Sequence, residues 1–336
     1  MTDFRAFPKV NLHHHLEGAV RPQTFAELVQ NLGIDVPALA RQSAAEYLTV
    51  SGEEASLADF LDKIGRTFVI TQHSGVLERI ALEISESAAA ESVRYLEVRF
   101  GPWLHVEQGR PLTEPIEEVL AGLAAGEHRW GVKGRLIISA LRHHTFQQNR
   151  QLLDAAVAYR DRGVVALDLA GDEAAFPASE FRELFLLAAK AGLGVTIHAG
   201  EAGPAAGVWE AVSELGAQRV GHGIRLVHDP ALLKAVRDAG TVLEVCPTSN
   251  VHTRAVESLS DHPVRELFDA GIRITIGDDD PTTSGITLSG EYQLLSEHFG
   301  FTEAELQTIV LTGAEAAFLP KDEKEELLAS FRREFA

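Results

Sequence analysis

Eight short β-branched or apolar runs, helical stretches between them, and polar clusters at the ends of four runs predict an α/β fold, a (β/α)8 TIM barrel. The runs are Lys9 to His13, Arg94 to Arg99, Gly134 to Ser139, Val164 to Asp168, Gly194 to His198, Ala217 to His222, Thr241 to Val245 and Arg273 to Gly277. Strand alternating with helix implies a parallel sheet, and eight such units imply closure. In a closed barrel the C-terminal strand ends converge on one mouth, where chemistry is carried.

The intervening helices announce themselves by spacing and by their ends. Leu184 to Gly192 has an apolar stripe and closes on a glycine, the residue that most easily adopts the left-handed C-cap. Pro230 to Gly240 starts with Asp229 as N-cap and Pro230 at the first helical position. Two connections break the rhythm. Leu16 to Ser92 is helical by pattern and is expected to include a lid over the mouth. Residues 290–336 read as closing helices, Glu303 to Leu311 and Lys321 to Phe335. No linker, repeat or low-complexity segment divides the chain, so residues 1–336 are expected to form a single domain.

Composition bounds the partners. The chain has 336 residues, 45% hydrophobic and 24% charged, which suits a globular protein able to bury a core. A net charge of −19 disfavours nucleic acid and anionic membranes, both of which need basic patches, but not an uncharged nucleoside or nucleobase. The single cysteine, Cys246, excludes an intrachain disulfide and any cysteine-rich zinc site, including the paired-cysteine site of cytidine-type deaminases. Cys246 is expected to be a packing residue. No apolar stretch approaches the roughly 18 residues of a membrane span, and the first residues carry no apolar signal core, so a cytoplasmic protein is expected. Nothing in the sequence signals an oligomeric state.

The polar clusters give the chemistry. His13 and His15 lie two apart on a strand, so both imidazoles face one side and His14 faces the other. His198 ends strand five with Glu201 three residues on, His222 ends strand six, and Asp278-Asp279-Asp280 follow strand eight. His13, His15, His198 and one of the terminal aspartates supply nitrogen and oxygen donors for a catalytic metal with an open position. Zinc is the usual choice, and iron or manganese also suits such donors. The metal would lower the pKa of water from about 15.7 toward 7. Glu201 can then reach the substrate, and His222 can orient or deprotonate the water. His143 and His144 end strand three, with no role assigned.

These residues lead to a resemblance covering nearly the whole chain. Pro8 to Ala19, Ser56 to Leu61, Tyr95 to Phe100, Leu167 to Glu173, His198 to Glu201, Val220 to Gly223, Asp279 to Pro281 and Phe318 to Pro320 resemble motifs of the adenosine deaminase family, within the metal-dependent amidohydrolases. The resemblance implies one Zn2+ per chain on His13, His15, His198 and Asp279. It implies that Glu201 donates a proton to purine N1, that His222 serves the attacking water, and that Asp279 belongs with them to the catalytic group. Asp280 would hydrogen-bond N7, the backbone N–H of Gly171 would face N3, and Leu57, Phe60 and Leu61 would wall the sugar side. The implied reaction converts adenosine or 2′-deoxyadenosine to inosine or 2′-deoxyinosine plus ammonia. Adenine and 5′-modified adenine nucleosides are the alternative substrates. A barrel that binds metal or nucleobase without turnover is the non-enzyme alternative.

Three positions depart from the family pattern. Glu17 stands where adenosine-specific members usually carry an aspartate that meets the ribose 5′-hydroxyl, and resembles the adenine-deaminating branch. Asn11 stands where an acidic residue is commoner. Asp278 replaces a small polar residue and is expected to add negative charge to the site, disfavouring phosphorylated substrates. A binuclear amidohydrolase would need a bridging lysine at the end of strand four, which reads Ala166-Leu167-Asp168-Leu169-Ala170-Gly171 without one.

Overall fold

In a computed structural model, which describes residues 2–52 and 56–336, eight parallel strands follow one another in chain order around a TIM barrel. They are β1 (Lys9–His15), β2 (Val93–Phe100), β3 (Lys133–Leu141), β4 (Val164–Ala170), β5 (Gly194–Ala199), β6 (Arg219–His222), β7 (Val242–Val245) and β8 (Arg273–Ile276). Helices cover the outside, so the strands are buried on both faces and read as near-continuous apolar runs. No helix among the described residues is long and apolar enough to cross a membrane.

Closure comes from the turn after β8. Asp279 N–H donates to the His13 carbonyl at 3.0 Å, and His15 N–H donates to the Asp279 carbonyl at 2.7 Å. This pairing, with that of His14 and His15 to Val98 and Arg99 of β2, carries β1 two residues beyond the predicted end, to His15. A register shift between Asn11 and His14 relieves the same strand, and the Asn11 side chain accepts from His13 N–H at 3.3 Å. The expected closing helices are present, and Glu303–Ala316 packs against β8 and β1. Gly313 permits that approach, since a Cβ there would lie 2.4 Å from Val10 Cγ2 and 2.7 Å from Thr275 Oγ1.

The barrel interior below the mouth holds a column of paired charges. Arg219 joins Glu97 to Glu244, with 2.6 Å from its Nε to Glu244 Oε1. Arg99 Nη2 meets Glu244 Oε2 at 2.6 Å, and its Nη1 lies 3.6 Å from Asp168 Oδ1. All five side chains are buried. Charges so deep persist only when paired and hydrogen-bonded. The alternation of signs meets that condition and leads upward to the histidines.

The insertion between β1 and β2 is helical as expected: Pro22–Leu32, Ala44–Leu48, Leu57–Gly65, Phe68–Thr71 and Val76–Ala90. Ser56 caps the third of these by accepting from Asp59 N–H. That helix lies over the mouth.

Candidate active site

Three imidazoles and one carboxylate meet at the top of the barrel. The possible ligand atoms of His13, His15, His198 and Asp279 all lie within 4.8 Å of one another. His13 Nε2 is 3.1 Å from Asp279 Oδ1, His15 Nε2 is 3.3 Å from the same oxygen, and His15 Nε2 is 3.1 Å from His198 Nε2. Two glycines make the room. A Cβ at Gly277 would lie 2.7 Å from His13 Cβ, and one at Gly221 would lie 3.0 Å from His13 Cε1.

The arrangement fits a shared cation. His13 Nδ1 is 2.8 Å from Glu244 Oε2, and His198 Nδ1 is 3.0 Å from Asp168 Oδ1. Burial opposes the charges of Glu244 and Asp168, but Arg99 and the neighbouring positive groups hold both carboxyls below the usual range. As ionised acceptors they face the Nδ1 nitrogens, so the Nε2 atoms are the ones left aimed at the cluster. His13 Nε2 is buried without a hydrogen-bond partner. A cation among these nitrogens and the Asp279 oxygen would satisfy them together.

Asp279 and His222 both adopt positive φ, 56° and 63°. Such a conformation costs a non-glycine residue on the order of 1–3 kcal/mol and persists where the surroundings over-determine it. Ser249 Oγ donates to Asp279 Oδ2 at 2.7 Å, and the two pairings with β1 hold its backbone.

Beside the cluster stand two acids and a histidine. Glu201 Oε2 lies 3.5 Å from His222 Nε2, which is 4.0 Å from Asp279 Oδ2. Burial, reinforced by the Asp279 charge, raises the Glu201 carboxyl to about 8. Burial drives His222 well below the ordinary imidazole range, so its ring is neutral. Asp280 is pushed well above the carboxylate range by burial and by Asp279, Glu17 and Glu201, and its Oδ1 has no partner. A Cβ at Gly18 would lie 1.9 Å from that oxygen, so the close seat of Asp280 requires glycine there.

A cavity of about 320 Å³ opens above these groups. His15, Glu17, Leu57, Phe60, Leu61, Gly171, His198, Glu201, His222, Asp279 and Asp280 all line it. His13 lies beneath, fully buried. Glu17 is anchored by Gly101 N–H at 2.8 Å and His105 Nε2 at 3.2 Å from its Oε1. His143 also lines the cavity, whereas His144 packs edge-on against Trp103.

Asp278 adds its negative charge to the site, as one of the groups that raise Asp280, from outside the cavity. Its carboxylate does not line the cavity but turns away, 2.7 Å from both Asn11 Nδ2 and His14 Nδ1. Asp279, in the left-handed conformation, faces the cavity, while Asp278 meets His14, the outward member of its own triplet.

The comparisons now decide the family. The adenosine deaminase family model matches residues 8–333. The chain belongs to the adenosine deaminase family. An adenosine deaminase of Clostridium perfringens is 36% identical over 323 residues, covering 96% of this chain and 97% of the relative. A solved adenine deaminase from Arthrobacter aurescens superposes with a TM-score of 0.89 at 29% identity, covering 97% of this chain and 98% of the other. An amidohydrolase from Burkholderia ambifaria with bound Zn gives a TM-score of 0.91 at 29% identity, covering 100% of this chain and 93% of the other.

Several residues that shape this adenosine deaminase family site receive no role from motif reading. Asp168 and Glu244 orient the histidines. Glu173 accepts the backbone N–H groups of Gly200, Glu201, Ala202 and Gly203 at 2.5, 3.1, 3.2 and 2.9 Å, fixing the turn that bears Glu201. The available signal was charge inside apolar strand runs: Asp168 in β4 and Glu244 in β7 have no place in a barrel core unless paired. For Glu173 the sequence offers no such signal, because its partners are main-chain groups of a distant loop.

Proposed function

We propose that this member of the adenosine deaminase family hydrolyses the 6-amino group of a purine, with adenosine or 2′-deoxyadenosine as substrate and inosine or 2′-deoxyinosine plus ammonia as products. The observation that carries the reading is a carboxyl group kept protonated at neutral pH, Glu201, beside a cluster of three imidazoles and a carboxylate at the floor of a cavity.

His13, His15, His198 and Asp279 would hold one divalent ion, for which zinc suits the imidazole-rich set. When bound, it supplies a Lewis acid that brings the pKa of water toward neutrality. Glu201 gives its proton to purine N1 as the water oxygen bonds to C6, and the electrons of the C6–N1 double bond settle on N1. The C6–N6 bond then breaks and ammonia leaves. Of the water's two protons, one restores Glu201 and one departs with ammonia. Protonated Asp280 presents O–H to N7, an acceptor that an ionised carboxylate would repel. Gly171 N–H faces N3, and Leu57, Phe60 and Leu61 exclude water from the sugar side.

Charge argues against phosphorylated substrates. The described residues lining the cavity include Glu17, Asp172, Glu173, Glu201, Asp279 and Asp280 but no lysine or arginine. A second reading, adenine as substrate, is favoured by the anchored Glu17 side chain, which fills part of the space a ribose would use. The ultraviolet shift from 6-amino to 6-oxo purine tests the proposal on adenosine, deoxyadenosine, adenine, AMP and 5′-substituted nucleosides. Adenosine leading supports the first reading, adenine leading the second, and no turnover by zinc-loaded protein ends both.

A further inference from the structure

Behind His222 lies a hydrogen-bond chain whose direction is set by one backbone group. Val264 N–H donates to His262 Nδ1 at 3.1 Å. The backbone can only donate, so Nδ1 is an acceptor and the neutral His262 ring carries its proton on Nε2. Burial drives His262 down to about 4, which keeps the ring neutral. His262 Nε2 lies 3.2 Å from Asn250 Oδ1, which must therefore be the acceptor end of that amide. The other end, Asn250 Nδ2, is 3.1 Å from His222 Nδ1 and 3.1 Å from Glu201 Oε1. It donates to both, and Thr253 Oγ1 adds a second donor to Glu201 Oε1 at 2.8 Å.

From this chain we infer that Asn250 and His262 are positioning residues that fix His222 as the Nε2–H tautomer and place the Glu201 proton on Oε2. The inference rests on the deaminase reading for its catalytic meaning and on hydrogen-bond geometry for its content. With Nδ1 occupied by the Asn250 donor and Nε2 bearing hydrogen, neutral His222 has no free lone pair. It donates toward the oxygen that attacks C6 and does not take that oxygen's proton. His222 Nε2 and Glu201 Oε2 stand 3.5 Å apart, two donors that do not satisfy one another. Both are held ready for what enters the cavity: the attacking oxygen for His222, purine N1 for Glu201. Val264, His262 and Asn250 thus transmit a choice of proton position from the main chain to the reacting atoms, as outer-shell partners do for metal-bound histidines.

Two measurements test it. In 15N-histidine-labelled, zinc-loaded wild-type protein without substrate, long-range 1H–15N correlation reads the tautomer of each ring, with His222 assigned by its loss in His222→Gln. The structure requires a pyridine-type Nδ1 and a pyrrole-type Nε2 for His222; the reverse pattern overturns the inference whatever the variants do. His262→Leu removes the donor that orients Asn250. Its kcat should fall about 10- to 100-fold, the range that outer-shell losses show, with KM and metal content unchanged. His262→Gln, which retains an amide donor, should restore most of kcat. A His262→Leu enzyme with wild-type kcat, or a loss of metal along with kcat that Gln does not restore, contradicts a positioning role. Failure of the wild type to deaminate any 6-aminopurine would sink the proposed function instead, leaving the tautomer result to stand by itself.

Discussion

The Asp168 carboxylate accepts the Nδ1 proton of His198 across 3.0 Å, while its second oxygen accepts from Ser139 Oγ at 3.0 Å. This fixes both the rotation of the imidazole and the nitrogen left for a metal. Glu244 does the same for His13. Asp168→Ala removes the acceptor, so metal affinity should drop about 10- to 100-fold, as for other outer-shell losses. Competition with a chromophoric chelator measures it; unchanged affinity would mean that His198 needs no such support.

The turn that presents Glu201 depends on Glu173. Replacing Glu173 by alanine leaves four N–H groups without their acceptor and frees the turn. A displacement near 1 Å of a group that must meet N1 costs about 100-fold in rate. That loss is expected in kcat for Glu173→Ala, with metal content preserved because none of the four cation donors lies in the turn. Single-turnover kinetics with metal analysis on one sample separates the two effects.

Acidity should show in the rate. Burial raises the Glu201 carboxyl to about 8, and in the proposed mechanism its active form is the protonated one. The contribution of this acid to kcat/KM is therefore full at neutral pH and lost as pH rises through about 8. An ordinary glutamate would already be ionised above 4.5, its unshifted value, and would lose activity there. The alkaline limb of the pH profile reads it, and Glu201→Gln should abolish most turnover while retaining metal.

Gly18 is the seat of Asp280. Gly18→Ala would drive a methyl group into the Asp280 carboxyl, with Cβ 1.9 Å from Oδ1 and 2.4 Å from Cβ of the aspartate. Forced overpacking of this kind costs about 1–3 kcal/mol. Because the strain falls on the group proposed to hold N7, kcat/KM should fall more steeply than thermal stability. Parallel melting curves and kinetics check this.

Glu17 lines the cavity where the sugar is proposed to lie. Glu17→Asp shortens the side chain, weakening its contact with Gly101 N–H and His105 and opening space where the ribose would lie. The ratio of kcat/KM for adenosine over adenine should rise. An unchanged ratio would show that specificity is set elsewhere.

The strands and the converging donors were legible because they are local. Period-two spacing separates His13 and His15 from His14, and glycines beside His222 and before Asp278 mark close backbone approach. What escaped was relational. Asp168, Glu173, Glu244, Asn250 and His262 act through partners brought near only by the barrel, and their types alone are ordinary. The placement of Asp278 was not legible because its partners, Asn11 and His14, come from the first strand; its charge reaches Asp280 from outside the cavity. The end of β1 was misplaced because its last residues pair on both sides with distant segments, Val98 and Arg99 of β2 and Asp279 after β8.

The most direct test of the central claim is turnover of adenosine and adenine by metal-stripped protein before and after one equivalent of zinc. The account predicts a silent stripped protein and, with one equivalent, the 6-amino to 6-oxo spectral shift with matching ammonia release. Equal turnover without metal, or none after it is supplied, would contradict the account.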